Sequence, residues 1–121
     1  MADRTWYDGI LQAVDAKDSD AFSAHLTDDA TFKWGAQDAV QGNAAVKDYV
    51  DAFLAMFDGT RHTLEEILED GATRICRGTV TYLTKDGREV PTPFCNVFHM
   101  EGDKIRDYLV YADPSPLTPA A

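Results

Sequence analysis

The sequence predicts an α+β domain: a strongly curved, cone-shaped sheet, mixed or antiparallel, wrapped by three helices that all come from the first half of the chain. Three observations carry this. Up to Phe57 apolar residues recur every three or four positions, as on a helix face. From Arg61 onward Thr, Val, Ile and Tyr dominate, and short polar turns cut the chain into strand lengths. Three helices cannot cover a flat sheet of four or five strands without leaving space. A sheet that curls round them encloses a hollow, the usual place for a small-molecule site.

The first helix opens at Thr5, which stands where an N-cap belongs, with Asp8 in the first turn; Trp6, Ile10 and Val14 share one face. Asp18 caps a short second helix with Phe22 and Leu26 inward. A strand follows at Ala30–Trp34, then Gly35 turns. Asn43 caps the third helix, whose stripe of Val46, Val50, Phe53 and Phe57 is widened by Ala45, Tyr49, Ala52 and Met56 until Asp58-Gly59 stops it. Residues 61–70 read as a strand whose alternation breaks at Glu65-Glu66, a bulge or an edge. Thr73–Leu83, a turn at Lys85-Asp86-Gly87-Arg88, a return strand from Pro93 to Met100, a turn at Glu101-Gly102-Asp103 and Ile105–Ala112 complete a meander. Residues 1–121 are expected to form one domain, with 114–121 a proline-rich tail that cannot continue a sheet.

Composition narrows the function. With 21 acidic and 11 basic residues the chain carries −10, which disfavours nucleic acid and anionic membranes as partners. No stretch approaches the ~20 apolar residues that cross a bilayer, and the first residues lack the basic and apolar regions of a signal peptide. The cytoplasm is the expected location. Cys76 and Cys95 read as two buried thiols, or as a disulfide if their strands pair. There is no zinc helix, glycine-rich phosphate loop, calcium loop or nucleophile elbow, so neither a cofactor nor a metal is expected.

Ala21-Phe22, Leu26–Trp34, the Gln41-Gly42 step, Arg61-His62, Asp86-Gly87-Arg88, Val97-Phe98 and Gly102–Asp113 together resemble the NTF2-like superfamily, in particular its SnoaL-like, polyketide cyclase-like members. That resemblance spans Trp6 to Leu117. It implies a pocket and, through the outer face of the sheet, a homodimer; Leu109 and Tyr111 alternate on that outer face. The superfamily's ketosteroid isomerases imply a base at the slot of Trp34, a tyrosine near Ile10 and a protonated acid at Asn96. Its limonene-type epoxide hydrolases imply an arginine at Arg77 and acids at Thr79 and at Val110, or at Asp107 under a shifted register. Neither set of carboxylates is present.

What remains is a pocket reading. His62 opens a strand and is the candidate base. Asn96, between Phe94 and Phe98 on one strand face, is the candidate hydrogen-bond donor to an oxyanion. Arg77, in a central strand, is expected either at the ligand or paired with Glu66 or Asp107. Trp34, Tyr49, Phe53, Phe94, Phe98 and Tyr108 are expected to line an aromatic wall. The expected partner is a small apolar organic molecule, polycyclic or aromatic, with a carbonyl or hydroxyl. The alternative is a non-catalytic dimeric module for ligand binding or protein interaction.

Overall fold

The computed structural model describes residues 4–113 and 115–117. The chain runs α1 (Arg4–Asp15), α2 (Ser19–Ser23), β1 (Leu26–Trp34), β2 (Val40–Gln41), α3 (Asn43–Leu54), β3 (Phe57–Asp70), β4 (Thr73–Thr84), β5 (Glu89–Glu101), β6 (Lys104–Ala112) and a 3-10 turn (Ser115–Leu117). The tail expected over 114–121 is described only at Ser115–Leu117. Among the described residues no helix is long and apolar enough to cross a membrane.

The strands form one six-stranded sheet in the order β2-β1-β6-β5-β4-β3. All neighbours are antiparallel except β1 and β6, which run parallel. The expected cone is therefore corrected: the sheet is open and not strongly curled, and its edges β2 and β3 share no hydrogen bonds. The physical reason is the length of β2. Two residues cannot carry the sheet round to the far edge. The hollow is closed instead by helices, with Val14 of α1 and Tyr49 and Phe53 of α3 facing it.

Local chemistry explains most boundaries. The Asp18 carboxylate accepts from the Ala21 N–H at 3.1 Å and caps α2. Asn43 does not cap α3; Gly42 holds that place, and the Asn43 amide instead donates to the carbonyls of Ser23 (3.0 Å) and Leu26 (3.3 Å), tying α3 to the start of β1. The third helix ends at Leu54, so Met56 is left 63% exposed and Phe57 opens β3. Gly87, at φ +87°, makes the β4–β5 turn. The bulge expected at Glu65-Glu66 is present, since Leu64 pairs with Gly78 while Glu66 pairs with Arg77.

Strand β5 starts earlier than expected, at Glu89, and takes in Pro91 and Pro93. No β6 residue pairs with them, because β6 ends at Ala112 opposite Phe94. Proline survives there because that stretch of β5 is an edge. The core lies between the helices and the inner sheet face, where rings of Phe22, Phe32, Tyr108 and Phe98 meet at centroid distances of 4.8 to 6.4 Å. Each fully buried aromatic of this kind contributes about 2–3 kcal/mol.

The cysteines sit on neighbouring strands but on opposite faces, Cys76 across from Asn96 and Cys95 across from Arg77, and both thiols are free. Burial pushes the Cys76 thiol up to about 12. Iodoacetamide should therefore label Cys95 alone in the folded protein and both cysteines in urea. Native labelling of Cys76 read by peptide mass would contradict this packing.

Candidate functional site

Strand alternation decides which side chains meet. On β5 the residues Thr92, Phe94, Asn96 and Phe98 point inward. On β6 the inward residues include Tyr108 and Val110, so Val110 and not Asp107 faces the hollow. Asp107 lies outside, 3.0 Å from His99 Nδ1. The inner face and the helices enclose a mainly apolar cavity of about 50 Å³.

Of the residues expected at the site, Trp34, Tyr49 and Phe53 line this cavity, the rings of Trp34 and Phe53 5.6 Å apart. His62, Phe94, Asn96 and Tyr108 line it too. The Phe94 ring and the His62 imidazole meet nearly at right angles, centroids 5.1 Å apart.

Two expected residues are elsewhere. Arg77 faces outward because Cys76 and Gly78 take the inward positions beside it, and its Nε donates to Glu66 Oε1 at 2.6 Å with Glu65 at 3.5 Å. This is an exposed ion pair on the outer face, outside the hollow. Phe98 points inward but is consumed by packing, edge-on to Trp6 at 5.3 Å and Tyr108 at 4.8 Å. Thr79, at a slot where the resemblance implies an acid, is also outside and donates to Glu65.

Sequence reasoning missed Asp15, the residue that gives His62 its character. The last residue of α1, Asp15 continues the buried stripe of Tyr7 and Leu11 one turn further. Its Oδ1 receives the His62 ring at 2.6 Å, through Nδ1, and the Thr60 hydroxyl at 2.8 Å. The backbone N–H of His62 donates to Oδ2 at 2.9 Å. A carboxylate on the apolar stripe of a helix was the available signal.

Burial opposes the charge on Asp15, but the hydrogen bonds and charge of His62, helped by Thr60, together outweigh it and hold the carboxyl below its ordinary 3.8. Asp15 is thus an anion at neutral pH, so Nδ1 of a neutral His62 carries the proton and Nε2 holds the lone pair. With the folded pKa depressed, the stability Asp15 contributes is complete above about pH 3.8 and is lost as pH falls through the lower folded value. Urea melts of Asp15→Asn against wild type should therefore differ by about 1–3 kcal/mol at pH 6. That gap should shrink at pH 3; a constant gap would show that the carboxylate charge is not what matters.

Asn96 is 2% exposed, and its amide donates to the Tyr108 hydroxyl at 3.4 Å while its Oδ1 has no partner. Complete burial pushes the Tyr108 hydroxyl far above its ordinary range, which keeps it protonated. Among the described residues no carboxylate, Lys or Arg lines the cavity. Among the described residues no three His, Cys, Asp or Glu side chains gather as metal ligands would.

The SnoaL-like domain family matches residues 4–108. An NTF2-like protein of unknown function from Burkholderia pseudomallei is similar in structure, 16% identical, with 97% of this chain and 95% of that one covered and a TM-score of 0.85. An NTF2-like protein from Anabaena variabilis is 20% identical over 91% of this chain and 85% of its own, TM-score 0.80. An LEH-like epoxide hydrolase from M. tuberculosis is 20% identical over 91% and 81%, TM-score 0.77. At such identities the likeness establishes the fold. No curated protein matches the chain.

Proposed function

The chain belongs to the SnoaL-like family, and from that premise we propose that its hollow takes a small, neutral, largely apolar organic molecule bearing a carbonyl or hydroxyl, on which His62 acts as general base. The observation that carries this reading is the Asp15–His62 pair at the wall of an apolar cavity. Asp15 fixes the imidazole and its tautomer, leaving Nε2 as the ring nitrogen able to accept a proton from the ligand. The imidazolium so formed would be stabilised by the carboxylate behind it. Asn96 and Tyr108 supply polar atoms for the ligand's oxygen.

4-Nitrophenol tests this reading, since its phenolate absorbs at longer wavelength than the phenol. Wild-type protein should bind it and shift its apparent ionisation toward lower pH; His62→Ala should bind it without the shift. Failure to bind would sink the pocket reading, and binding with an unperturbed spectrum would sink the base.

A second reading is favoured by the outer face, where Tyr111 is 56% exposed and Leu68 55%. Apolar side chains on an uncovered sheet face suit a homodimer. Light scattering at micromolar concentration should give twice the 13.4 kDa chain mass; a monomer would refute it.

A further inference from the structure

The Asn96–Tyr108 pair is unfinished. Asn96 Oδ1 is buried with no partner, and the Tyr108 hydroxyl accepts from the amide, which leaves its own proton to give. The pair lines the cavity and therefore leaves one acceptor unmatched, Asn96 Oδ1, beside two unused donors, the Tyr108 O–H and the second amide N–H. Turning the amide over exchanges the roles without removing either, because Oδ1 would then accept from Tyr108 and leave an amide N–H and a tyrosine lone pair. A ligand carbonyl can only accept and would leave the acceptor orphaned, at the cost of an unmade buried hydrogen bond. A hydroxyl both donates and accepts. A carboxylate would enter a wall on which, among the described residues, no Lys or Arg stands, with anionic Asp15 behind His62.

From this we infer that Asn96 and Tyr108 form a receptor for an alcoholic or phenolic hydroxyl, so the ligand is a neutral hydroxyl compound and not a ketone or an acid. The inference rests on the pocket reading above and narrows its carbonyl-or-hydroxyl class. It assigns Asn96 a different part from that of an oxyanion donor: in the resting complex its oxygen accepts the ligand's O–H, or its N–H donates, with Tyr108 completing the pair, and the base step requires that O–H to turn to His62 Nε2.

Phenol and toluene have nearly the same shape, and benzoate adds the charge, so these three probes separate the possibilities. Calorimetric or NMR titration of wild-type protein should show phenol binding about tenfold tighter than toluene, although toluene is the more easily desolvated, with benzoate not binding. Tyr108→Phe, which removes one oxygen atom, and Asn96→Leu should each bring phenol and toluene close to parity. Equal binding of phenol and toluene to wild type, as a permanently bound water saturating the pair would give, overturns the inference and leaves the pocket reading standing. So does a phenol preference that survives both substitutions, or benzoate binding as tightly as phenol. If none of the three binds, the pocket reading fails and the receptor with it.

Discussion

A His62→Ala protein should bind the compound that native mass spectrometry finds retained in the cavity nearly as well as wild type, yet turn it over about 10²–10⁴-fold more slowly. A general base contributes in the transition state, so the loss falls on kcat with little change in affinity. Asp15→Asn is the sharper test. Its amide can keep an oxygen on the His62 backbone N–H, but the NH₂ then faces Nδ1, where the carboxylate sat. The imidazole is held in the opposite tautomer, its Nε2 protonated and useless as a base. Changing the orienting Asp to Asn costs on the order of 10⁴ in a serine-protease triad, and a similar drop is expected here. Single-turnover kinetics should show it in the chemical step. Near-normal turnover in Asp15→Asn would remove the pair from the mechanism.

The largest effect on stability is expected at Gly78. The bulge at Glu65 leans the β3 backbone over β4, and a Cβ at residue 78 would lie 1.9 Å from the Thr63 carbonyl oxygen and 3.1 Å from the Glu65 nitrogen. Those are backbone atoms in a paired strand, so relief requires the ladder itself to move. Gly78→Ala should cost about 3 kcal/mol, in the range of severe overpacking. For a chain of this size that lowers Tm by roughly 10 °C. Gly9→Ala is the matched control: its new Cβ meets nothing within 4 Å, and in the exposed middle of α1 it should stabilise by about 0.5–1 kcal/mol. A small loss for Gly78→Ala would mean that the bulge slides or dissolves at little cost.

Much of this architecture was legible because its causes are local. The cap at Asp18, the turns at Gly87 and Gly102 and the break at Glu65-Glu66 are each written in four or five residues. The hollow's aromatic lining follows from strand parity once the strands are known, which is why Trp34, Phe94 and Tyr108 could be placed. Parity also held the answer for Arg77: Cys76, Gly78 and Val80 claim the inner face and send the guanidinium out to Glu66. What could not be read is what depends on distant parts of the chain. Asp15 is 47 residues from His62, and no motif at either position announces the other. The short β2 and the parallel pairing of β1 with β6 are likewise products of tertiary contact, and the expected curl failed on them.

That parallel pairing also orders events in time. Strand β1 is made well before β6, yet apart from the two residues of β2 its partner is β6, at residues 104–112. Until those residues leave the ribosome, the backbone donors and acceptors along most of β1 have no strand beside them, and α3 has an incomplete sheet to settle on. The meander β3–β6 joins neighbours through short turns and can zip locally, whereas the β1–β6 contact closes a loop of some 70 residues. Pairings of such separation slow folding. A nascent chain stopped near Asp103 should therefore stay protease-sensitive and prone to sticking through its bare first strand. Protection should arrive in one step when Tyr108 and Val110 dock against Phe32 and Trp34.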